Sequence, residues 1–148
     1  MFIRRINKGS NLLSIINGNA DGKIEQYIIV DSPKKDIEKI AYLAHKHMDL
    51  DEECFINVKF DWAYGQRARV LELVSKKDDS ITIYKMVTSS NFDKHVLDLQ
   101  RIKEEIHHKY SIAQEKIKCK LVLQSKDNIE KLKSLLFAMA SDFEVEIF

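Results

Sequence analysis

Two rhythms of apolar residues run through this chain. In CFINVKF (54–60), Cys54, Ile56, Val58 and Phe60 occupy every second position, the spacing of a strand that buries one face. In SNFDKHVLDLQRIKEEIHHKY (90–110), Phe92, Val96, Leu99, Ile102, Ile106 and Tyr110 recur at steps of three and four, the stripe of a long amphipathic helix. Ser90 stands at its N-cap position with Asp93 three residues later, in the manner of a capping box.

The same test assigns the rest of the chain. NLLSIIN (11–17), the turn-rich GNADG (18–22) and KIEQYIIV (23–30) read as a β-hairpin, because Gly, Asn and Asp supply the positive-φ positions of such a loop. DSPKKDIEKIAYLAHKHMD opens a helix with Ser32 as N-cap and Pro33 at the first helical position, and Ile37, Ile40, Ala41, Ala44 and Met48 form its stripe. RVLELVS and SITIYKMV flank KKDD as a second hairpin. IKCKLVLQ (117–124) is a strand, and SKDNIEKLKSLLFAMAS a helix with Ile129, Leu132, Leu135, Leu136 and Met139 in its stripe. FEVEIF (143–148) is a closing strand.

These elements predict an α+β fold: one domain over 1–148 with a largely antiparallel mixed sheet and helices on one face, in the order ββ(β)αβ-ββαβ-αβ, compatible with an extended ferredoxin-like topology. Two hairpin–helix–strand units, about 10–60 and 68–124, precede the helix–strand 126–148. They share architecture without visible sequence identity, which an old duplication and a recurrence of common motifs explain equally. No Pro- or Ser-rich linker divides them, Pro33 being the single proline.

Composition narrows the function classes. Apolar residues make up 45 % and charged residues 32 %, ordinary for a globular protein and too apolar for disorder. Lys and Arg number 24 against 23 Asp and Glu, a net charge of +1, so the strong basic excess of a phosphate-backbone binder is absent. No apolar run has signal-peptide or membrane-span length. Cys54 and Cys119, each in an alternating apolar stretch, read as reduced core residues. A cytoplasmic location without a membrane contact follows as the expectation. The Ile-, Lys- and Asn-rich usage points to an AT-rich bacterial or phage source.

Candidate chemistry is sparse. His45 and His47 lie near Asp49, Asp51, Glu52, Glu53 and Cys54, yet two residues apart on a helix they point about 200° away from each other. Glu104 and His108 are four apart on the long helix and share a face, as two ligands of a divalent cation would. The same spacing is ordinary surface stabilisation, and no His-Glu-x-x-His pattern supplies the remaining ligand. Neither Gly-x-Ser-x-Gly nor a glycine-rich phosphate loop is present. No cofactor is implied.

One stretch stands out. FDWAYGQRAR (60–69) gathers Trp62, Tyr64, Arg67 and Arg69 around Gly65, one of four glycines. Placed in a connection between two strands, these are the residue types that dominate protein-binding hot spots. The competing reading folds Trp62 back as a lid over the core. The favoured expectation is a non-enzymatic protein that binds another protein through Trp62, Tyr64, Arg67 and Arg69, as an inhibitor, an immunity- or antitoxin-like protein, or an accessory subunit. The alternatives are a nucleic-acid binder using 61–69, and a small hydrolase or metal-dependent enzyme whose pocket draws on His108 or His47. Against nucleic acid stands a specific expectation. If the last helix is a crossover, its flanking strands run parallel, and Lys118 and Lys120 pair with Glu144 and Glu146.

Overall fold

A computed structural model describes residues 2–8, 11–17, 23–29, 39, 42–43, 46, 52–60, 69–87, 92–123, 129–139 and 141–147. The fold is α+β with a mixed sheet, as the apolar rhythms predict. The chain gathers into two compact units, Met1–Ile81 and Thr82–Phe148.

In the first unit, β1 (Phe2–Lys8) pairs antiparallel with β2 (Lys23–Ile29), from Phe2 opposite Ile29 to Lys8 opposite Lys23. On its other side β1 runs parallel to β3 (Glu53–Phe60), with Asn7 beside Phe55 and Lys8 beside Ile56. β3 pairs antiparallel with β4 (Arg69–Lys77). The order is therefore β2-β1-β3-β4. Cys54, Ile56, Val58 and Phe60 are all buried, as alternation requires, and Phe55 on the opposite face is buried too. Asn57 takes a left-handed φ of 53°, which Asn tolerates better than most residues. It lies between the β1 pairing at Ile56 and an isolated parallel bridge from Asn11 to Lys59.

The expected strand at 11–17 is corrected by α1 (Leu12–Ile16), a helix, and the hairpin partner of β2 is β1 instead. The reason is local. Leu12 and Ile15, three residues apart, are both buried, whereas strand alternation would turn Ser14 inward beside Leu12. Asn11 adopts an extended backbone at the N-cap, and its Oδ1 accepts from the Leu13 N–H at 2.8 Å. At the other end the Lys76 Nζ, reaching from β4, donates to the Ile15 carbonyl at 2.9 Å. That cation suits the C-terminal end of the helix, where the Asn17 N–H also reaches the Ile15 carbonyl. Of the helix expected from Ser32, Lys39, Tyr42, Leu43 and Lys46 are described and helical, and Leu43 is buried. Ser32, Pro33 and the apolar stripe expected there lie outside the described residues.

A two-residue turn at Asp78 and Asp79, with Asp78 at φ 55°, leads from β4 to β5 (Ser80–Val87). In the second unit α2 (Phe92–Tyr110) follows, then a 3-10 turn (Gln114–Lys116), β6 (Ile117–Leu123), α3 (Ile129–Ala138) and β7 (Glu144–Ile147). β6 lies between β5 and β7, and β6 and β7 run parallel, with Lys120 opposite Glu144 and Leu123 opposite Ile147. The α3 crossover allows this direction, because a parallel pair cannot be joined by a tight turn. The Lys120 Nζ sits 3.4 Å from Glu144 and 3.8 Å from Glu146, so the anticipated cross-strand charge pairing forms at Lys120. Val96, Leu99, Ile102 and Ile106 of α2 are buried, as are Leu132 and Leu136 of α3. Both cysteines are buried free thiols. Among the described residues no helix is long and apolar enough to cross a membrane.

Candidate functional site

The second unit holds a cleft of about 520 Å³ where α2, the 3-10 turn and the α3–β7 connection meet. Its floor and walls follow from how each element ends and which face it buries.

α2 supplies one wall. Asp93 in its first turn and His107, His108 and Lys109 in its last suit the helix dipole at both ends. Its buried stripe steps from Leu99 to Ile102 and Ile106, and Lys103 occupies the core-facing position between them. Only 8 % of Lys103 is exposed, a burial that a lysine tolerates when its ammonium is paired. Gln100 and Glu104 flank it along the cleft. The helix stops at Ser111, which takes a left-handed φ of 55°. The His107 Nδ1 lies 2.6 Å from the Ile112 carbonyl oxygen, which can only accept, so Nδ1 carries the hydrogen there. Gln114 then enters the cleft from the 3-10 turn.

The opposite wall is the end of α3. The Met139 N–H donates to the Leu135 carbonyl at 3.0 Å, and the Ser141 N–H reaches five residues back to the Leu136 carbonyl at 2.9 Å, the bond that closes the end of a helix. The Ser141 Oγ accepts from the Phe143 N–H at 3.3 Å. This turn sets Asp142 before Lys103, with Nζ 3.2 Å from Oδ1 and 3.0 Å from Oδ2. Met139 and Phe143 add apolar surface to an otherwise polar lining.

Cys119 of β6 is close enough to feel both charges. Burial pushes its thiol from 9.0 up to about 12; the Lys103 ammonium opposes that rise and the Asp142 carboxylate adds to it. The sulfur is therefore a protonated core group at neutral pH, unsuited to nucleophilic attack.

The residues singled out from sequence fall in three places. Glu104 lines the cleft, while His108 is exposed, lies outside its lining and has its ring centroid 4.9 Å from that of His107. Among the described residues no group of three or more His, Cys, Asp or Glu is placed to hold a metal ion. Trp62, Tyr64 and Arg67 lie outside the described residues, as do His45 and His47. Arg69 opens β4 directly opposite Phe60, so residues 61–68 connect two adjacent antiparallel strands. The cleft residues Gln100, Lys103, Gln114, Ser141 and Asp142 went unremarked in the sequence. The available signal was Lys103 itself: with Leu99, Ile102 and Ile106 it completes the i, i+3, i+4, i+7 pattern of a core face.

Among the described residues Leu13, Val70, Leu97 and Phe137 are exposed large apolar side chains, and Phe137 is the most exposed of them. Phe137, on α3, is 88 % exposed, next to the buried Leu136. Comparison with known proteins yields no match to this chain: no family model, no curated protein and no solved structure.

Proposed function

We propose that this chain acts by binding another protein, in the manner of an inhibitor, an immunity- or antitoxin-like protein, or an accessory subunit. The observation that carries this reading is Phe137. An aromatic ring left 88 % in water on a helix forgoes roughly 1.5–3 kcal/mol that burial would contribute. A protein interface recovers that stabilisation, and aromatic side chains are enriched in such interfaces. The nearby chemistry supports the same view, since the Cys119 thiol is held protonated and Lys103 is engaged by Asp142. The pairing of Lys120 with Glu144 and Glu146 offsets the basic stripe that a nucleic-acid reading would draw on. Trp62, Tyr64, Arg67 and Arg69 remain the second proposed contact region, on the strength of their residue types.

The test is affinity capture from the native host's lysate with nuclease present and absent, using wild type, Phe137→Ala and Trp62→Ala as baits. A protein that survives nuclease and is lost with Phe137→Ala supports the reading. Capture that needs intact nucleic acid overturns it. Loss with Trp62→Ala alone moves the contact surface to residues 61–69.

A further inference from the structure

We infer that the cleft between α2 and the α3–β7 connection receives an arginine side chain of the partner protein, its guanidinium held between Glu104 and Asp142. This deepens the protein-binding reading and rests on it.

Charge complementarity selects the occupant. Among the described residues the cleft is lined by one cation, Lys103, and two carboxylates, Glu104 and Asp142, a formal excess of one negative charge. The Lys103 ammonium contacts both oxygens of Asp142, at 3.2 and 3.0 Å, yet the Asp142 side chain is still 73 % exposed. The Glu104 carboxylate is exposed, and its side chain engages no partner among the described residues. The amides of Gln100 and Gln114 are equally unengaged, and each offers a donor and an acceptor. One guanidinium neutralises the excess and presents five N–H donors in a planar fork suited to two carboxylates and flanking amide oxygens. An anionic group would meet two carboxylates and a single ammonium already shared.

Size and apolar content agree. A volume of about 520 Å³ lies within the range of small-ligand sites and exceeds what one side chain fills, leaving room for adjoining backbone. Met139 and Phe143 give the arginine methylenes an apolar surface while its charged head stays among polar groups.

The probe is a capped pentapeptide with arginine at its centre and alanine elsewhere, titrated into the isotopically labelled full chain and followed by amide chemical shifts. Its control carries norleucine in place of arginine. The arginine peptide is expected to shift the Gln100, Lys103, Glu104, Gln114 and Ser141 amides saturably, and the norleucine peptide to leave them in place. Glu104→Gln, an exposed substitution that preserves shape, should weaken binding about three- to fivefold, the scale of a solvent-exposed ion pair. Phe137→Ala should titrate like wild type, so loss of the lysate partner and loss of the cleft site are read separately. Equal responses to both peptides, no saturation up to about 10 mM, or an unchanged Glu104→Gln would each overturn the assignment.

Discussion

The Lys103 ammonium lies 3.0 and 3.2 Å from the two carboxylate oxygens of Asp142, a residue 39 positions further along the chain. The two sides of this pair are unequal, since the Lys103 side chain is 11 % exposed and that of Asp142 73 %. Removing the acid leaves a buried charge without its partner. Removing the base leaves only a solvated carboxylate. Asp142→Ala should therefore cost about 1–2 kcal/mol, below the usual cost of breaking a fully buried pair because water reaches the acid. Lys103→Met, which keeps the apolar stem, should cost less than about 1 kcal/mol. Urea unfolding checks the order, and Lys103→Met placed on top of Asp142→Ala should restore stability rather than lower it further.

Cys119 sets an alkaline limit. Its folded thiol titrates at about 12 against 9.0 in the ordinary state, so above pH 9.0 the unfolded chain releases a proton that the folded chain keeps. The stabilisation is complete below pH 9.0 and falls away as pH rises toward about 12. Subtracting the stability profile of Cys119→Val from that of wild type should leave this decline, with no difference in slope below pH 9.0. In the native protein the thiol should also resist a disulfide reagent at neutral pH and react once the chain is unfolded.

α1 is a five-residue helix that depends on its ends. Asn11→Ala removes the acceptor at the N-cap and should cost about 1 kcal/mol. Lys76→Met removes the donor to Ile15 and should cost about the same, as an intramolecular hydrogen bond of this kind contributes. Thermal unfolding of the two single variants and the double variant would show whether the caps act independently. The caps lie at opposite ends of one short helix, so the double variant should lose more than either single one.

Two phenylalanines stand near opposite ends of the burial scale. Phe55 is 1 % exposed and Phe137 88 %. Phe55→Ala should cost about 3–5 kcal/mol through lost packing and the cavity left behind. Phe137→Ala should change stability by no more than about 0.5 kcal/mol. Circular dichroism melts of both variants make the comparison, and a large loss with Phe137→Ala would assign that ring a structural role.

Much of the fold was legible because its signals are local. The period-two run from Cys54 to Phe60 and the stripe through Val96, Leu99, Ile102 and Ile106 declare their own conformations. The parallel β6–β7 pair was legible one step further on, since a helix between two strands implies a crossover. Residues 11–17 resisted because LLSII is apolar enough for either reading over so short a span. The decision rests on the Asn11 cap and on β1 taking the place beside β2. The cleft resisted for a different reason. Lys103 and Asp142 are distant in sequence, and what joins them is the way α3 ends, with the Ser141 N–H bonded back to Leu136, a backbone event with no residue signature. The aromatic and arginine connection at 61–69 was conspicuous by residue type alone, and its role rests on the capture experiment.

The outer strand of the second unit has a bearing on solubility. β7 pairs with β6, and among the described residues no further strand pairs with it. A bare sheet edge is a template for recruiting other chains. β7 is only four residues long, and two of them are Glu144 and Glu146. A second copy docking edge to edge would bring like charges together along the seam. The same glutamates that hold Lys120 thus disfavour the pairing of two copies through β7.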